Sequence, residues 1–261
     1  MRLDYRIDVL RLLLKSLKGN FDELLSISDS IKVKESTDSL KYVMLRHDVD
    51  KNPLNALRIA RIEHDMGIHG TYYFRMHPDV FIPGIIKQIA SMGHEIGYHY
   101  EDFTKNHGNT EKAIASFQKN LAEFRKIVPI KTICMDGRPL SKFNNLDLWK
   151  QYNYKDYGIE CEPYLDFDFN KVLYLTDTGR GWNLVKYNVR DKVLNPLNYQ
   201  SKTTEELIKD LQEGKLPNQI LLTIHPQRWH DRSLPWLTEL VLQRIKNGLK
   251  WGLIKVRKSE K

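Results

Sequence analysis

Two hydrophobic rhythms alternate along this chain, and few folds satisfy both. Short apolar or β-branched runs at residues 42–45, 71–75, 95–99, 132–135, 172–176 and 219–224 have the length and composition of buried strands. Between them the spacing predicts helices. Leu10, Leu13, Leu14 and Leu17 recur at i, i+3, i+4 and i+7. Ile114, Phe117, Leu121, Phe124 and Val128 mark a long helix, and Leu237, Leu240, Val241 and Ile245 a last one, with shorter helices near residues 85–92 and 204–212. After the first strand, Asn52 is placed to cap a helix, Pro53 suits its first position and Gly67 its exit. Strands that alternate with helices lie parallel and are joined by right-handed crossovers. The fold class is therefore α/β, and either a barrel or a doubly wound sheet fits. Residues 142–199 follow neither rhythm apart from the run at 172–176.

No repeat, low-complexity tract or Pro/Gly/Ser-rich linker divides the 261 residues, so a single domain over 1–261 is expected. With 41% hydrophobic and 28% charged residues, disorder is excluded. No stretch approaches the roughly 18 apolar residues of a spanning helix. The apolar run from Val9 to Leu14 is broken by Arg11 and is followed by no small-residue cleavage site, so it does not read as a signal peptide. A cytoplasmic location is expected, and Cys134 and Cys161 are expected there as buried free thiols. The net charge of +8 favours phosphates or anionic membranes. Nucleic acid is not expected, because no basic run interleaves with aromatics and no helix-turn-helix or zinc-finger spacing occurs.

Chemistry concentrates where strands end, which in a parallel barrel is the rim that carries active sites. The first strand ends in Arg46-His47-Asp48-Val49-Asp50. Asp48 and Asp50 are two apart, face the same way in an extended segment, and so need a cation between them or a shared proton. A second strand end reads Gly93-His94-Glu95-Ile96-Gly97-Tyr98-His99-Tyr100-Glu101. Its two histidines are an odd number apart and point to opposite faces of a regular strand. The third is Leu221-Leu222-Thr223-Ile224-His225-Pro226, a histidine closing an apolar strand. Together these ends offer a carboxylate base, mixed Asp/His ligands and a histidine acid, the components of metal-assisted hydrolysis.

These segments resemble the polysaccharide deacetylase family, carbohydrate esterase family four. Arg46 to Asp50 is similar to an R-H-D-V-D variant of the family's T-F-D-D-G motif, Gly93 to His99 to its G-H-E-I-G string, and Leu221 to Pro226 to its terminal histidine motif. The resemblance runs from about Tyr42 to Trp229. It implies a distorted (β/α) barrel with fewer than eight complete units and a divalent metal, zinc foremost. It implies Asp48 as the base, Asp50 and His99 as metal ligands and His225 as the general acid. There are departures. The family pattern H-x-x-x-H would place a second histidine at position 103, which is Phe103, and Val49 separates the two aspartates of the first motif. Glu101, His47 and Asp48 are the candidates for the missing ligand, and His94 reads as a supporting or structural residue. Asp136-Gly137-Arg138-Pro139 loosely matches the family's third motif and makes Arg138 a candidate substrate contact. Asp177 and Arg180, in Thr176-Asp177-Thr178-Gly179-Arg180, are candidates to hold sugar hydroxyls or a phosphate.

The implied activity is removal of the acetyl group from an N-acetylated sugar. A cytoplasmic substrate would be nucleotide-linked or lipid-diphosphate-linked, an intermediate in making a surface polysaccharide, and a lipid carrier would require transient membrane contact, for which the first helix is one candidate. Other carbon–nitrogen hydrolases on the same scaffold, a deformylase or a ureide amidohydrolase, and a metal-free sugar-binding relative remain open at this point.

Overall fold

Seven strands, among the described residues, form one all-parallel sheet that curls around an apolar interior. The computed structural model describes residues 3–33, 40–139, 141–183, 193 and 199–259, with side chains up to residue 248. In chain order the elements are α1 (Ile7–Asn20), β1 (Glu23–Leu25), α2 (Ile27–Val33), β2 (Tyr42–Val49), α3 (Pro53–Asp65), β3 (Thr71–Phe74), α4 (Pro83–Ser91) and β4 (Glu95–Tyr100). There follow α5 (Asp102–Lys105), α6 (Thr110–Arg125), β5 (Ile133–Met135), α7 (Pro163–Asp166), β6 (Leu173–Thr176), α8 (Thr204–Gln212), β7 (Gln219–Ile224) and α9 (Ser233–Ser259).

The strand order is β5-β4-β3-β2-β7-β6, and β1 pairs with β2 at residues 42–44, just short of where β3 begins. From β2 to β5 each strand lies beside the one before it in sequence. That continuous winding separates this sheet from the doubly wound alternative, which reverses direction near its middle. The fold is thus a curled parallel sheet with surrounding helices and fewer than eight strands, in keeping with the expected distorted barrel.

Alternation along the strands sorts the core. Tyr42, Met44, Tyr73, Cys134, Tyr174 and Leu221 point inward and form one buried cluster. Their neighbours Val43, Leu45, Leu173, Leu175, Ile220 and Leu222 point outward beneath α1 and α8, and Tyr72, Phe74, Ile96 and Tyr98 outward beneath α3, α4 and α6. Gly97 shows how tightly the interior is filled. It faces inward, and a Cβ there would stand 2.2 Å from the Tyr73 ring.

Most sequence expectations for the helices and strands coincide with these elements to within a few residues. Asn52 differs. It takes a left-handed conformation (φ 48°) and its side chain makes no cap; only its carbonyl closes the turn, accepting from the Asn55 amide. The stretch that followed neither rhythm holds 3-10 turns at Asn145–Lys150 and Tyr154–Tyr157, besides α7 and β6. Cys134 and Cys161 are buried and form no disulfide with one another, as expected.

The leucine stripe of α1 does not face a membrane. Leu10, Leu13 and Leu14 have no exposed surface and pack against β2, β6 and β7. Leu13→Ala should cost about 2–5 kcal/mol, and Leu12→Ala, at a half-exposed site, within about 0.5 kcal/mol. Urea denaturation of both variants measures the difference; equal, small losses would show that α1 is not part of the core.

Candidate active site

Every strand from β2 to β7 delivers a charged or titratable side chain to one rim: Asp48 and Asp50, Arg75, His99 and Glu101, Asp136, Asp177, and His225. This is the C-terminal end of each strand, where inward-pointing side chains converge.

Three of them come close enough to share a cation. Asp50, His99 and Asp136 each offer a ligand atom, and the three atoms lie within 4.8 Å of one another. His99 Nδ1 lies 2.9 Å from the Cys134 carbonyl oxygen, which can only accept, so Nδ1 carries a hydrogen and Nε2 is the ligating nitrogen. Nε2 stands 3.7 Å from Asp50 Oδ1 and 3.9 Å from Asp48 Oδ2. Burial works against a charge on His99, but Asp48, Asp136 and Asp50 outweigh it and push the imidazole above its ordinary range. Burial, with Asp50 and Glu101 nearby, pushes Asp136 upward in turn. These shifts report a surplus of negative charge around one nitrogen. A divalent cation relieves it, and two carboxylates with one imidazole form a donor set that zinc accepts. The residues present therefore fit the implied metal.

The third candidate ligand atom in this cluster belongs to Asp136, not to the residues the motif comparison put forward for it. Glu101 is saturated: Arg75 Nη2 donates to both of its oxygens at 2.9 and 2.8 Å, and Lys105 Nζ and Arg138 Nε lie 2.8 and 2.9 Å away. Arg75 spans from Glu101 to Asp136, its Nε 3.0 Å from Asp136 Oδ2. His47 has odd parity relative to Asp48 and points out of the barrel. There it stacks on Tyr72 and lies 2.9 Å from Glu63 Oε1. His94 lies under α3, its Nε2 donating to the Ala60 carbonyl and its Nδ1 accepting from the Gly70 amide. Neither reaches the triad. Phe103 is buried against Phe143. The signal for Asp136 was in the sequence: it directly follows a short apolar strand and is in phase with the inward Cys134.

Two residues flank the triad. Asp48 is buried, and Arg46, two residues earlier on the same face, donates to both its oxygens at 2.8 and 2.7 Å. Burial alone would raise this carboxyl; the Arg46 charge, with His99 and His225, holds it well below the usual carboxylate range. On the far side His225 contacts Asp177 through Nδ1, 2.6 Å from Oδ1, so that Nε2 is the nitrogen left for a substrate.

Asp177 and Arg180 do not serve as open sugar or phosphate contacts. Asp177 has no exposed surface. It accepts from the His225 amide, from Trp229 Nε1 at 3.0 Å and from Arg228. Arg180 pairs with Glu239 and lies over the Tyr5 and Trp236 rings. Arg138, at positive φ, is part exposed and leans on Glu101.

No protein-family model and no curated protein matches this sequence. Among solved structures the chain is similar to a Streptococcus mutans CE4 esterase, at 15% identity and a TM-score of 0.47 over 90% of each chain. It is also similar to a family 4 carbohydrate esterase from Streptomyces lividans in complex with acetate, at 14% identity and 0.39 over 81% of this chain and 90% of that one. A family 4 carbohydrate esterase from Bacillus anthracis gives 15% and 0.39 over 80% and 89%. By name these belong to the family that the motifs resemble.

His99→Ala and Asp136→Asn should each lose bound zinc, measured by elemental analysis of zinc-loaded protein. Protons compete with the metal for Nε2 of an imidazole whose affinity for protons is raised. Zinc affinity should therefore begin to fall, as pH is lowered, above the ~6.5 of an ordinary histidine; equilibrium dialysis across pH 5–8 tests this. Zinc content unchanged in Asp136→Asn would remove Asp136 from the site.

Proposed function

We propose that this protein is a metal-dependent hydrolase that removes the acetyl group from an N-acetylated sugar. The observation that carries the reading is the Asp50–His99–Asp136 triad, with a buried carboxylate on one side and a buried Asp–His pair on the other.

Asp50, His99 and Asp136 would hold the cation. Once bound, a divalent metal polarises an amide carbonyl and makes water a stronger acid. Asp48 is the base that takes the proton of the attacking water. Arg46 fixes both its oxygens, so the carboxylate cannot turn away, and lowers its proton affinity, so a proton taken up is readily passed on. His225 is the acid. An amide nitrogen leaves poorly until protonated, and His225 Nε2 can supply that proton while Asp177 holds the ring by Nδ1 and offsets the imidazolium charge. Arg228 and Trp229 keep Asp177 itself in place.

Charge and the expected compartment support the substrate class. Two buried thiols that form no disulfide with one another suit a reducing compartment such as the cytoplasm. Within it, N-acetyl sugars are carried on nucleotides or lipid diphosphates, and a +8 chain attracts both. Such a sugar would be an intermediate of surface polysaccharide synthesis.

Zinc-loaded protein should release acetate from nucleotide-linked or lipid-linked N-acetylhexosamine; release from chitin oligomers alone would refute the substrate class. Asp48→Asn and His225→Ala should slow turnover ~10²- to 10⁴-fold with metal retained. Asp177→Asn should slow it too, since an amide can hold the ring by its nitrogen in the wrong tautomer. Near-normal turnover in Asp48→Asn or His225→Ala removes the role assigned to that residue.

A further inference from the structure

α9 crosses the rim that carries the candidate site. Trp236 Nε1 donates to the Asp4 carbonyl, Asn247 Nδ2 donates to the Gly179 carbonyl, and Glu239 pairs with Arg180. That face, with Gln243 and Asn247 buried, holds the helix to the barrel. The opposite face has no partner among the described residues. Leu234, Leu237, Val241, Leu242 and Ile245 recur along it at helical spacing, between 49% and 75% exposed, the largest run of exposed apolar side chains among the described residues.

Charge says what covers this stripe. Over Ser233–Ser259 the sequence carries Arg244, Lys246, Lys250, Lys255, Arg257 and Lys258 against one acid, Glu239, which Arg180 already neutralises. Arg244 lies one residue before Ile245 and Lys246 one residue after it, so on the helix they flank the stripe from its two sides. A second copy laid against this face would set two rows of cations together. A single exposed ridge also offers a folded partner no groove to fill. An apolar face bordered by basic residues, on a helix too polar to cross a membrane, is the pattern of a helix that lies in the headgroup layer.

We propose that α9 docks this protein on an anionic lipid surface, its apolar face entering the headgroup layer and Arg244 and Lys246 meeting the phosphates. Docking would bring the catalytic rim to the lipid. Lys246, a quarter turn from the stripe, lies within electrostatic reach of Asp50 and Lys51 on the other side. The proposal assigns membrane contact to α9, whereas α1 spends its stripe on the core. It does not depend on the chemistry at the triad, and vesicle binding is read without turnover.

The experiment is sedimentation of the full-length protein with vesicles of phosphatidylglycerol and phosphatidylcholine in equal parts, with pure phosphatidylcholine vesicles, and alone. The protein should partition ~10-fold or more strongly onto the anionic vesicles, and the difference should shrink at 0.5 M salt. Replacing Leu237, Val241 and Ile245 together by Gln, at exposed positions that leave the fold intact by circular dichroism, should abolish pelleting. Arg244→Gln with Lys246→Gln should weaken it by roughly five-fold per charge removed. Leu165→Gln, an exposed apolar site elsewhere, should bind as wild type. The proposal fails if wild type stays in solution with anionic vesicles, or if the triple variant pellets as wild type does. It fails equally if α9 instead mediates a dimer, seen by sedimentation velocity and lost in the triple variant, with no vesicle binding.

Discussion

A residue in a parallel strand covered on both faces has two directions open to it, into the barrel or out toward the helices. Everything else in this structure depends on that constraint. It assigns Tyr42, Met44, Arg46 and Asp48 to the interior and Val43, Leu45 and His47 to the exterior. Because all the strands run the same way, the inward residues at their C-terminal ends meet, while those at the other end, Glu95 among them, are tied up by Thr71 and Thr132. The core and the site are two stretches of one inward-facing set of residues.

Placing so many ionisable groups at one rim requires internal bookkeeping of charge. Three buried carboxylates at the rim but outside the triad are each paired with an arginine: Asp48 with Arg46, Glu101 with Arg75, Asp177 with Arg228. Removing one partner from such a pair leaves a desolvated charge behind, which costs far more than the pair itself contributes. Asp50 and Asp136 are less completely served. Gln227 donates to Asp50, and Arg75 reaches Asp136 with its Nε while its Nη2 is held by Glu101. The polarity left over points at His99 Nε2. The unevenness of this neutralisation, more than any one residue, marks the place where a cation would fit.

Much of this was legible from the residues alone. Asp48, Asp50, His99 and His225 could be singled out because each stands at the end of an apolar run, and the odd spacing of His94 and His99 put them on opposite faces. Asp136 was harder to see, since its strand is only three residues long and a short run gives a weak phase. Asp177 and Arg180 sit in a turn whose composition suggests solvent. Only the packing of α9, Tyr5 and Trp229 over that turn buries them, and such long-range covering leaves no local signature. The capping role expected of Asn52 was lost for a related reason: the tight turn after Asp50 imposes a left-handed backbone there, and the side chain cannot reach the helix amides.

The bond between His99 and the Cys134 carbonyl has a consequence for how the molecule assembles. His99 and Cys134 face one another in the register of β4 and β5, and Asp136 follows two residues later on the same face. If β5 docked one residue out of step, alternation would turn Asp136 toward the helices and withdraw the acceptor from His99 in a single error. The same slip would exchange Ile133 and Met135, which pack beneath the helices, with the inward Cys134. Under the proposed function it would also forfeit the cation, which needs Asp136 and the correct imidazole tautomer together. The metal would thus act as a proofreader of the sheet's last join, rewarding only the chain that has zipped up in the right register.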